Sequence, residues 1–369
     1  MITTKHLRTG GAERQIVNLA NGLSERGSIE VCLFALEKGG TLFEELAPEV
    51  KVEAGIKSSK LASKFLLLPL AAKRLRPDVI YTRTMTMPSL IAGRMWGIPV
   101  VIAEINNPEK RMGDGKGRKW QNRLTQKTAR NFASMVVANC RGLADAAQEF
   151  WSLKSKPRAI YNGIDIEQIE RRATADANHP WITDKKTPLI VSVGRVVPGK
   201  DFTTLARAFA LLKQTTDARL IIVGGGTNEE EKTKLSAAIS ENNLEDCVSL
   251  AGERDNPHPF MRAADVYVSS SAYEGFSNSI LEALALGVPI VSTDHQFGAN
   301  EMIEDGKSGL LVPVGDTESM AGAIERVLKD GNLRQNLATG AKERAQNFTL
   351  EKAVVEHEKL FREITGKPT

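Results

Sequence analysis

Glu274 and Glu282 lie eight positions apart, in the segment of the chain whose residues are best suited to catalysis or ligand binding. Residues 270–289 read S-S-A-Y-E-G-F-S-N-S-I-L-E-A-L-A-L-G-V-P, following an apolar run that predicts a strand and opening a pattern that predicts a helix. On a helix, side chains at this spacing can share a face. The spacing alone leaves two interpretations: a pair that acts on one ligand, or a capping residue followed by an exposed helix residue.

The stretch between the two glutamates is suited to binding a diphosphate. The predicted helix begins within Gly275, Phe276, Ser277 and Asn278. Unpaired N–H groups and the helix dipole favour an anion at such an N-terminus. Glu282 would then accept hydrogen bonds from ribose hydroxyls, while Glu274 would approach a sugar attached to the diphosphate.

Two cations, Arg195 and Lys200, follow the predicted strand 189–193. Cations already in place stabilise the negative charge that grows on a leaving diphosphate, Arg through two nitrogens and Lys as a point charge. Solvated surface residues at a strand end are the alternative. The sequence contains no Asp-x-Asp, the kind of pair that holds magnesium against a diphosphate, so no metal or other cofactor is expected.

Adjacent glycines at Gly10 and Gly11 precede a helical pattern, where backbone can approach a ligand closely. Gly11 is the residue we expect at a ligand, and a plain tight turn is the alternative. A second glycine run occupies residues 224–226. Neither run completes G-x-G-x-x-G, and no acidic residue ends the following strand, which argues against a nicotinamide oxidoreductase.

The elements around these residues alternate between short apolar runs and helical patterns, which favours an α/β fold with two Rossmann-like, doubly wound domains facing a cleft. Strands are predicted at 30–36, 50–53, 79–81, 100–103, 135–138, 159–161, 189–193, 219–223, 248–251, 266–269, 289–292 and 309–312. Only residues 1–7 are available for a strand before the first glycine loop, so either that strand is very short or this sequence starts downstream of the true start. We expect domains at 1–165 and 166–349, with a helix in 350–369 returning to the first.

Composition agrees with an ordinary globular protein of two cores: 369 residues, 41% hydrophobic and 25% charged. Cys32, Cys140 and Cys247 are odd in number and far apart, so we expect buried thiols rather than disulfides or zinc ligands. No apolar segment reaches the roughly 20 residues that span a bilayer, and no signal peptide opens the chain. A cytoplasmic protein is expected.

Charge is distributed unevenly along the chain. Residues 1–180 carry 28 basic and 18 acidic side chains, net +10, whereas residues 181–369 carry 21 and 27, net −6. Basic residues concentrate at 57–76, around an apolar run, and at 110–130. Such stretches attract anionic lipid by about 1 kcal/mol per charge, which predicts reversible contact with an anionic membrane surface. A solvated face is the alternative, and no nucleic-acid partner is expected.

Five segments together resemble glycosyltransferase family 4. E-G-F-S-N-S-I-L-E resembles its E-x7-E signature, and Gly194 and Arg195 followed by Lys200 resemble its G-R-x4-K segment. G-G-A-E-R at 10–14 resembles its N-terminal loop, and I-V-G-G-G at 222–226 resembles its I-V-G-x-G turn. The E-x-I at 301–303, with G-L-L-V-P at 309–313, resembles its last element.

The resemblance implies the two-domain GT-B fold and a retaining, metal-independent transfer from a nucleotide-diphosphate sugar, with UDP favoured. The implied catalytic residues are Glu274, Arg195 and Lys200. The implied substrate-binding residues are Gly11, Gly252, Arg254, Gly275, Phe276, Ser277, Asn278 and Glu282. In the family's proposed course, the acceptor hydroxyl attacks from the face that the diphosphate leaves, and a phosphate oxygen takes its proton.

The resemblance also implies a hexosyl or N-acetylhexosaminyl group and a glycan or lipid-linked acceptor, as in assembly of bacterial surface polysaccharides. A nucleotide-sugar epimerase or phosphorylase of the same fold is one alternative. A sugar-nucleotide binding protein without catalysis is another. Product analysis with and without an acceptor distinguishes the three.

Many members of the family carry a histidine in the first domain near the reacting sugar, and this histidine is missing here. Residues 81–84 and 103–108 contain none. We expect Arg83, Glu104 or Asn106 to take over its positioning function. Among the five histidines, only His6 is expected to reach the site.

Overall fold

The computed structural model describes residues 1–8, 10–55, 61–111 and 119–367. Its contacts divide the chain into two compact units, Met1–Gly163 with Leu350–Thr369, and Ile164–Thr349. Each unit has a parallel, doubly wound sheet, so the predicted α/β class with two Rossmann-like domains is confirmed. Part of both predicted basic runs lies outside the described residues, namely Lys57, Lys60, Lys116 and Arg118.

The first unit has the strands β1 Ile2–Thr4, β2 Cys32–Ala35, β3 Lys51–Ala54, β4 Ile80–Thr82, β5 Val100–Glu104, β6 Met135–Ala138 and β7 Arg158–Ala159. In the described residues these seven form one parallel sheet in the order β3-β2-β1-β4-β5-β6-β7. Strands such as β2 are buried along their whole length, which agrees with their uninterrupted apolar sequence. The first strand has three residues.

Helices of the first unit are α1 Gly11–Glu25, α2 Leu61–Leu75, α3 Thr86–Trp96, α4 Pro108–Arg111, α5 Lys119–Phe132, α6 Arg141–Trp151 and, from the end of the chain, α16 Leu350–Thr365. Helix α16 packs on α1, where Gly22 leaves room for the side chain of Val354. Glu358 fastens this contact by accepting hydrogen bonds from Ser28 (2.7 Å) and Arg26 (2.8 Å).

The second unit has the strands β8 Leu189–Val193, β9 Arg219–Val223, β10 Val248–Gly252, β11 Val266–Ser269, β12 Ile290–Thr293 and β13 Leu310–Val312. In the described residues they form one parallel sheet in the order β10-β9-β8-β11-β12-β13. The strand order therefore reverses between β8 and β11. Ligands of open α/β sheets bind at such a reversal, beyond the carboxyl ends of the strands.

Helices of the second unit are α7 Ile166–Arg172, α8 Pro180–Thr183, α9 Phe202–Lys213, α10 Glu229–Glu241, α11 His258–Ala263, α12 Asn278–Leu286, α13 Ala299–Met302, α14 Thr317–Lys329 and α15 Gly331–Ala345. Short 3-10 turns occur at Thr41–Phe43, Pro198–Lys200 and Gln346–Phe348. Across the described ranges of the chain, we find no helix with the length and apolarity to cross a membrane.

Candidate active site

An ion pair between Lys200 and Glu274 lies at the strand-order reversal of the second unit. Lys200 ends the 3-10 turn that follows β8, and Glu274 lies in the loop that follows β11. Both side chains are largely buried, 18% and 17% exposed. The hydroxyl of Ser271 donates a hydrogen bond (2.7 Å) to Oε1, the carboxylate oxygen that Lys200 also contacts. Among the described residues, the other oxygen, Oε2, has no hydrogen-bond donor.

The environment of Glu274 keeps this carboxylate ionised. Burial by itself raises the pKa of Glu274, but the charge of Lys200 and the hydrogen bonds from Lys200 and Ser271 outweigh it and lower the pKa below its usual value. The site therefore holds a negative charge with one oxygen engaged and one oxygen available to a ligand hydroxyl.

Backbone contacts fix the loops that carry this pair. The amide of Ala272 donates to the carbonyl of Gly199 (2.9 Å), and the hydroxyl of Ser270 donates to the carbonyl of Lys200 (2.8 Å). The stem of Lys200 passes over Gly194, where a Cβ would lie 2.7 Å from the lysine Cε. The G-R-x4-K spacing thus provides a lysine that folds back over its own glycine.

The glycine run after β9 supports the same loop. Gly224 has φ +146°, and a Cβ there would overlap the carbonyl oxygen of Gly194. Its amide donates to the carbonyl of Gly252 (2.8 Å), which has φ +74°. Two residues beyond, Arg254 is exposed, with its guanidinium 5.9 Å from the ring centre of Phe260. Of the predicted base-binding residues, Gly252 therefore ends β10, and Arg254 lies in the loop that follows.

The N-terminus of α12 lies where the sequence predicted it. Ser277 is the N-cap residue, and Asn278 begins the helix. The Ser277 hydroxyl makes no capping hydrogen bond within the described residues and lies 3.2 Å from the hydroxyl of Ser279. Phe276 is only 5% exposed, and its ring packs on Phe348 with centres 5.4 Å apart. Any ligand contact by Phe276 therefore has to come from its backbone.

Glu282 lies on α12 with its Oε2 3.7 Å from Nε2 of His258, and its side chain is 21% exposed. The other ring nitrogen of His258 is buried, with no partner among the described residues. The buried hydroxyl of Tyr267, on β11, donates to the carbonyl of Val193 (3.5 Å). Burial above all, and then the charges of Glu274 and Glu282, raise the pKa of Tyr267 above its usual range.

The expectation about histidines was wrong for the second unit, because two of them adjoin the motif glutamates. His258 lies beside Glu282, and His295 lies close enough to Glu274 for each charge to affect the other. His295 follows β12, the neighbour of β11 in the sheet, so parallel pairing of the two strands is the signal that would have found it. His6 lies in the first unit, with Nδ1 3.8 Å from Glu13.

In the first unit, Gly11 is the exposed first residue of α1. Arg83 follows β4; it is buried and donates to the carbonyl of Ala12 (3.3 Å), so it supports the start of that helix. Asn106 is exposed.

Glu104 does not fit a positioning function at a substrate. Its carboxylate is fully buried and receives hydrogen bonds from Arg130 at 2.6–2.7 Å. The arginine is also buried, and its guanidinium lies 4.3 Å from the ring centre of Trp151. The pair is a structural one inside the first unit, because removing either partner would leave an uncompensated buried charge.

Arg195 differs from Lys200 in being exposed and making no ion pair or hydrogen bond with the described residues. Of the two predicted cations, Lys200 is therefore held by Glu274, whereas Arg195 is free to turn toward an anion. Within the described part of the chain, no three His, Cys, Asp or Glu side chains gather as metal ligands.

Solved structures place this fold in a known class. Anabaena Alr3699/HepE in complex with UDP-glucose is 22% identical, with a TM-score of 0.80 over 98% of both chains. The two Rossmann-like domains are therefore those of the GT-B glycosyltransferases.

Family models and sequence relatives identify the family within this class. The model for "Glycosyl transferases group 1" matches residues 176–344, and that for "Glycosyltransferase Family 4" matches residues 9–168. A Campylobacter jejuni protein, N-acetylgalactosamine-N,N'-diacetylbacillosaminyl-diphospho-undecaprenol 4-alpha-N-acetylgalactosaminyltransferase, is 33% identical over 93% of both chains. The Rhizobium meliloti lipopolysaccharide core biosynthesis glycosyltransferase LpsE is 30% identical, covering 90% of this chain and 89% of its own. The chain belongs to glycosyltransferase family 4 and is a glycosyltransferase.

Proposed function

We propose that the protein transfers a sugar, with retention of configuration and without a metal, from a UDP-sugar to a lipid-linked glycan. The observation that carries the proposal is the ionised Glu274, held by Lys200 and Ser271 at the strand-order reversal, with Oε2 left for a donor hydroxyl. The relatives support the donor and acceptor classes. HepE was crystallised with UDP-glucose, and the Campylobacter relative is named for a diphospho-undecaprenol substrate.

Each group in the site has a defined function in this proposal. Glu282 accepts the ribose hydroxyls, and the start of α12 faces the diphosphate. Arg195 and Lys200 stabilise the charge that grows on the diphosphate as the glycosidic bond breaks. Glu274 orients the sugar through Oε2, and its charge stabilises positive charge at the anomeric carbon.

Retention follows if the acceptor hydroxyl attacks from the face that the diphosphate leaves. Its oxygen forms the new bond to the anomeric carbon, the old bond to the phosphate oxygen breaks, and that phosphate oxygen takes the hydroxyl proton. Glu274 then needs no covalent intermediate.

We further propose that the acceptor is met at the inner face of the cell membrane, through a surface on α2 and α3 that we name the α2 surface, comprising Leu66, Leu70, Lys73, Arg74 and Trp96. Leu66 and Leu70 are 64% and 60% exposed. Trp96 is 39% exposed, with Lys73 Nζ 5.4 Å from its ring centre. An amphipathic face with exposed aliphatic residues beside cations suits an anionic lipid surface.

The test is transfer by purified protein from UDP-glucose, UDP-N-acetylglucosamine or UDP-N-acetylgalactosamine to an undecaprenyl-diphosphate-linked oligosaccharide, with product linkage read by NMR. We expect an α-linked product from an α-configured donor, and about a hundredfold less from Glu274→Ala. A β-linked product would overturn retention. An epimerised donor without acceptor would indicate an epimerase, and donor binding without turnover or hydrolysis would indicate a binding protein.

A further inference from the structure

The side chain of His258 lies where two segments of the candidate site meet. His258 is the first residue of α11, directly after the loop that carries Arg254, and it is buried. Its Nε2 lies 3.7 Å from Oε2 of Glu282 on α12. Within the described residues, this contact is the only ion pair or hydrogen bond of the Glu282 side chain, and the His258 ring has no second polar partner.

The backbone of His258 is held in place by contacts that do not involve its ring. The side-chain amide of Asn256 donates to the carbonyl of Arg172 (2.7 Å), and the Asn256 side-chain oxygen accepts from the amide of His258 (3.3 Å). Arg172 in turn donates to the carbonyl of Asp255 (3.0 Å). The loop between β10 and α11 is thus tied to the end of α7, so the ring meets α12 from a fixed backbone.

The chemistry of the ring leaves one nitrogen to act on Glu282. Nδ1 of His258 is enclosed and makes no hydrogen bond with the described residues. A proton on Nε2 makes that nitrogen a donor toward the carboxylate. The 3.7 Å separation is longer than a formed hydrogen bond, and contacts of this kind commonly tighten when the ligand binds. With Oε2 of Glu282 directed to His258, Oε1 is the oxygen left for a ligand.

We propose that His258 is a positioning residue that directs Glu282 at the hydroxyls of the donor ribose, so that the pair distinguishes a ribonucleotide from one without these hydroxyls. This inference rests on the proposed function, which assigns the ribose hydroxyls to Glu282. A glutamate side chain without a partner samples several rotamers, and ligand binding has to immobilise it. A neighbour that already holds the carboxylate removes part of that entropic cost and favours binding.

The test is titration calorimetry with UDP and with 2′,3′-dideoxy-UDP, which lacks both ribose hydroxyls. We expect wild type to bind UDP at least about tenfold more tightly than the dideoxy compound. His258→Phe should bind UDP about tenfold more weakly than wild type does, and the dideoxy compound within about twofold. His258→Gln, whose amide can donate an N–H to the carboxylate, should recover part of the preference. In turnover assays of His258→Phe, KM for the donor should rise while kcat changes less than about threefold.

His179→Phe is the matched control for packing around α11. His179 is another buried histidine of this unit, with its ring centre 6.0 Å from that of Phe260 on α11. Its Nε2 bonds the hydroxyl of Ser249 (3.0 Å) rather than a motif glutamate. His179→Phe should therefore lower the melting temperature and leave the preference for UDP unchanged.

A double-mutant cycle completes the test, since a residue that acts through Glu282 has nothing to add to the preference once Glu282 is gone. We expect Glu282→Ala with His258→Phe to show the same ratio of the two affinities as Glu282→Ala alone. An unchanged preference in His258→Phe, or an equal loss of affinity for both nucleotides, would overturn the inference and leave the proposed function intact. Equal binding of the two nucleotides by wild type would overturn the inference together with the ribose assignment, and absence of UDP binding by wild type would overturn the proposed function.

Discussion

The side chain of Lys200 lies over Gly194 so closely that a Cβ at position 194 would come within 2.7 Å of the lysine Cε. Lys200 is at the same time the ion-pair partner of Glu274. A glycine six positions earlier in the chain therefore controls where the cation of the site lies.

Gly194→Ala should lower activity without unfolding the protein. The added methyl group meets the flexible end of Lys200, which can move aside, so we expect a melting temperature within a few degrees of wild type and kcat/KM about tenfold lower. Gly224→Ala is the control. Gly224 has φ +146°, and a methyl group there would overlap the backbone of Gly194, so this variant should destabilise the fold. Full activity in Gly194→Ala would show that the position of Lys200 does not matter.

The two glutamates of the motif should separate binding from turnover. Glu282→Ala removes the proposed ribose contacts, so titration calorimetry should show UDP binding weakened at least tenfold. Glu274→Ala should bind UDP within about threefold of wild type yet lose turnover. Glu318→Ala, an exposed helix glutamate of the same unit, should change neither. Equal UDP affinity for wild type and Glu282→Ala would contradict the ribose assignment.

Much of the fold could be predicted from the sequence, because parallel strands that are buried on both faces consist mostly of apolar residues. The strands β8 and β9 match the predicted 189–193 and 219–223 residue for residue. The edge strand β7 was placed one or two residues late, since only Arg158 and Ala159 pair with β6 and apolarity continues past them.

Parts of the candidate site that belong to one local motif could be predicted from the sequence. Parts that are assembled from distant segments could not. The helix start at Ser277 and the position of Lys200 followed from sequence spacing. The proximity of His295 to Glu274, and the pairing of Glu104 with Arg130, depend on strand order and packing over 21 to 26 residues of separation. No local periodicity encodes such contacts.

Activity should survive excess EDTA, because Arg195 and Lys200 are proposed to meet the charge of the diphosphate. Arg195→Ala should then lose roughly 3 kcal/mol of transition-state stabilisation, about a hundredfold in rate. Arg207→Ala, another exposed arginine of the second unit, is the matched control and should behave as wild type. Loss of activity on chelation, restored by magnesium or manganese, would refute metal independence.

Acid should weaken the docking of α16 through Glu358. Hydrogen bonds from Ser28, then Arg26 and Arg362, outweigh burial and lower the pKa of Glu358 from 4.5 to about 2. A lowered folded-state pKa contributes stability above about pH 4.5 that is lost as pH falls toward 2, and here it amounts to at most about 3 kcal/mol. Urea unfolding at pH 6, 4 and 3 should show Glu358→Gln converging on wild type as pH falls.

The control for that experiment is Glu363→Gln, which removes a more exposed partner of Arg158 on the same helix. Its free energy of unfolding should differ from wild type by less than about 0.5 kcal/mol. A difference between wild type and Glu358→Gln that stays constant from pH 6 to pH 3 would contradict the assignment.

The α2 surface should bind anionic vesicles reversibly, because its cations are attracted to lipid phosphates and its exposed leucines enter the head-group region. Since the Debye length falls from about 10 Å at 0.1 M salt to about 3 Å at 1 M, high salt should release most of the protein. Co-sedimentation with phosphatidylglycerol and phosphatidylcholine vesicles measures both effects. Lys73→Glu with Arg74→Glu should abolish the preference for anionic vesicles, and Leu66→Ser with Leu70→Ser should weaken binding at every salt concentration.

A matched pair of substitutions outside the α2 surface decides whether the effect is local. Leu211 and Val314, in the second unit, are exposed hydrophobic residues at 37% and 43%. Leu211→Ser with Val314→Ser also removes two exposed apolar side chains and should leave vesicle binding unchanged, because the half of the chain that contains them has a net charge of −6. If this pair weakens binding as much as the leucine pair of α2, or if wild type ignores vesicle charge, the basic runs are a solvated face and the acceptor is met in solution.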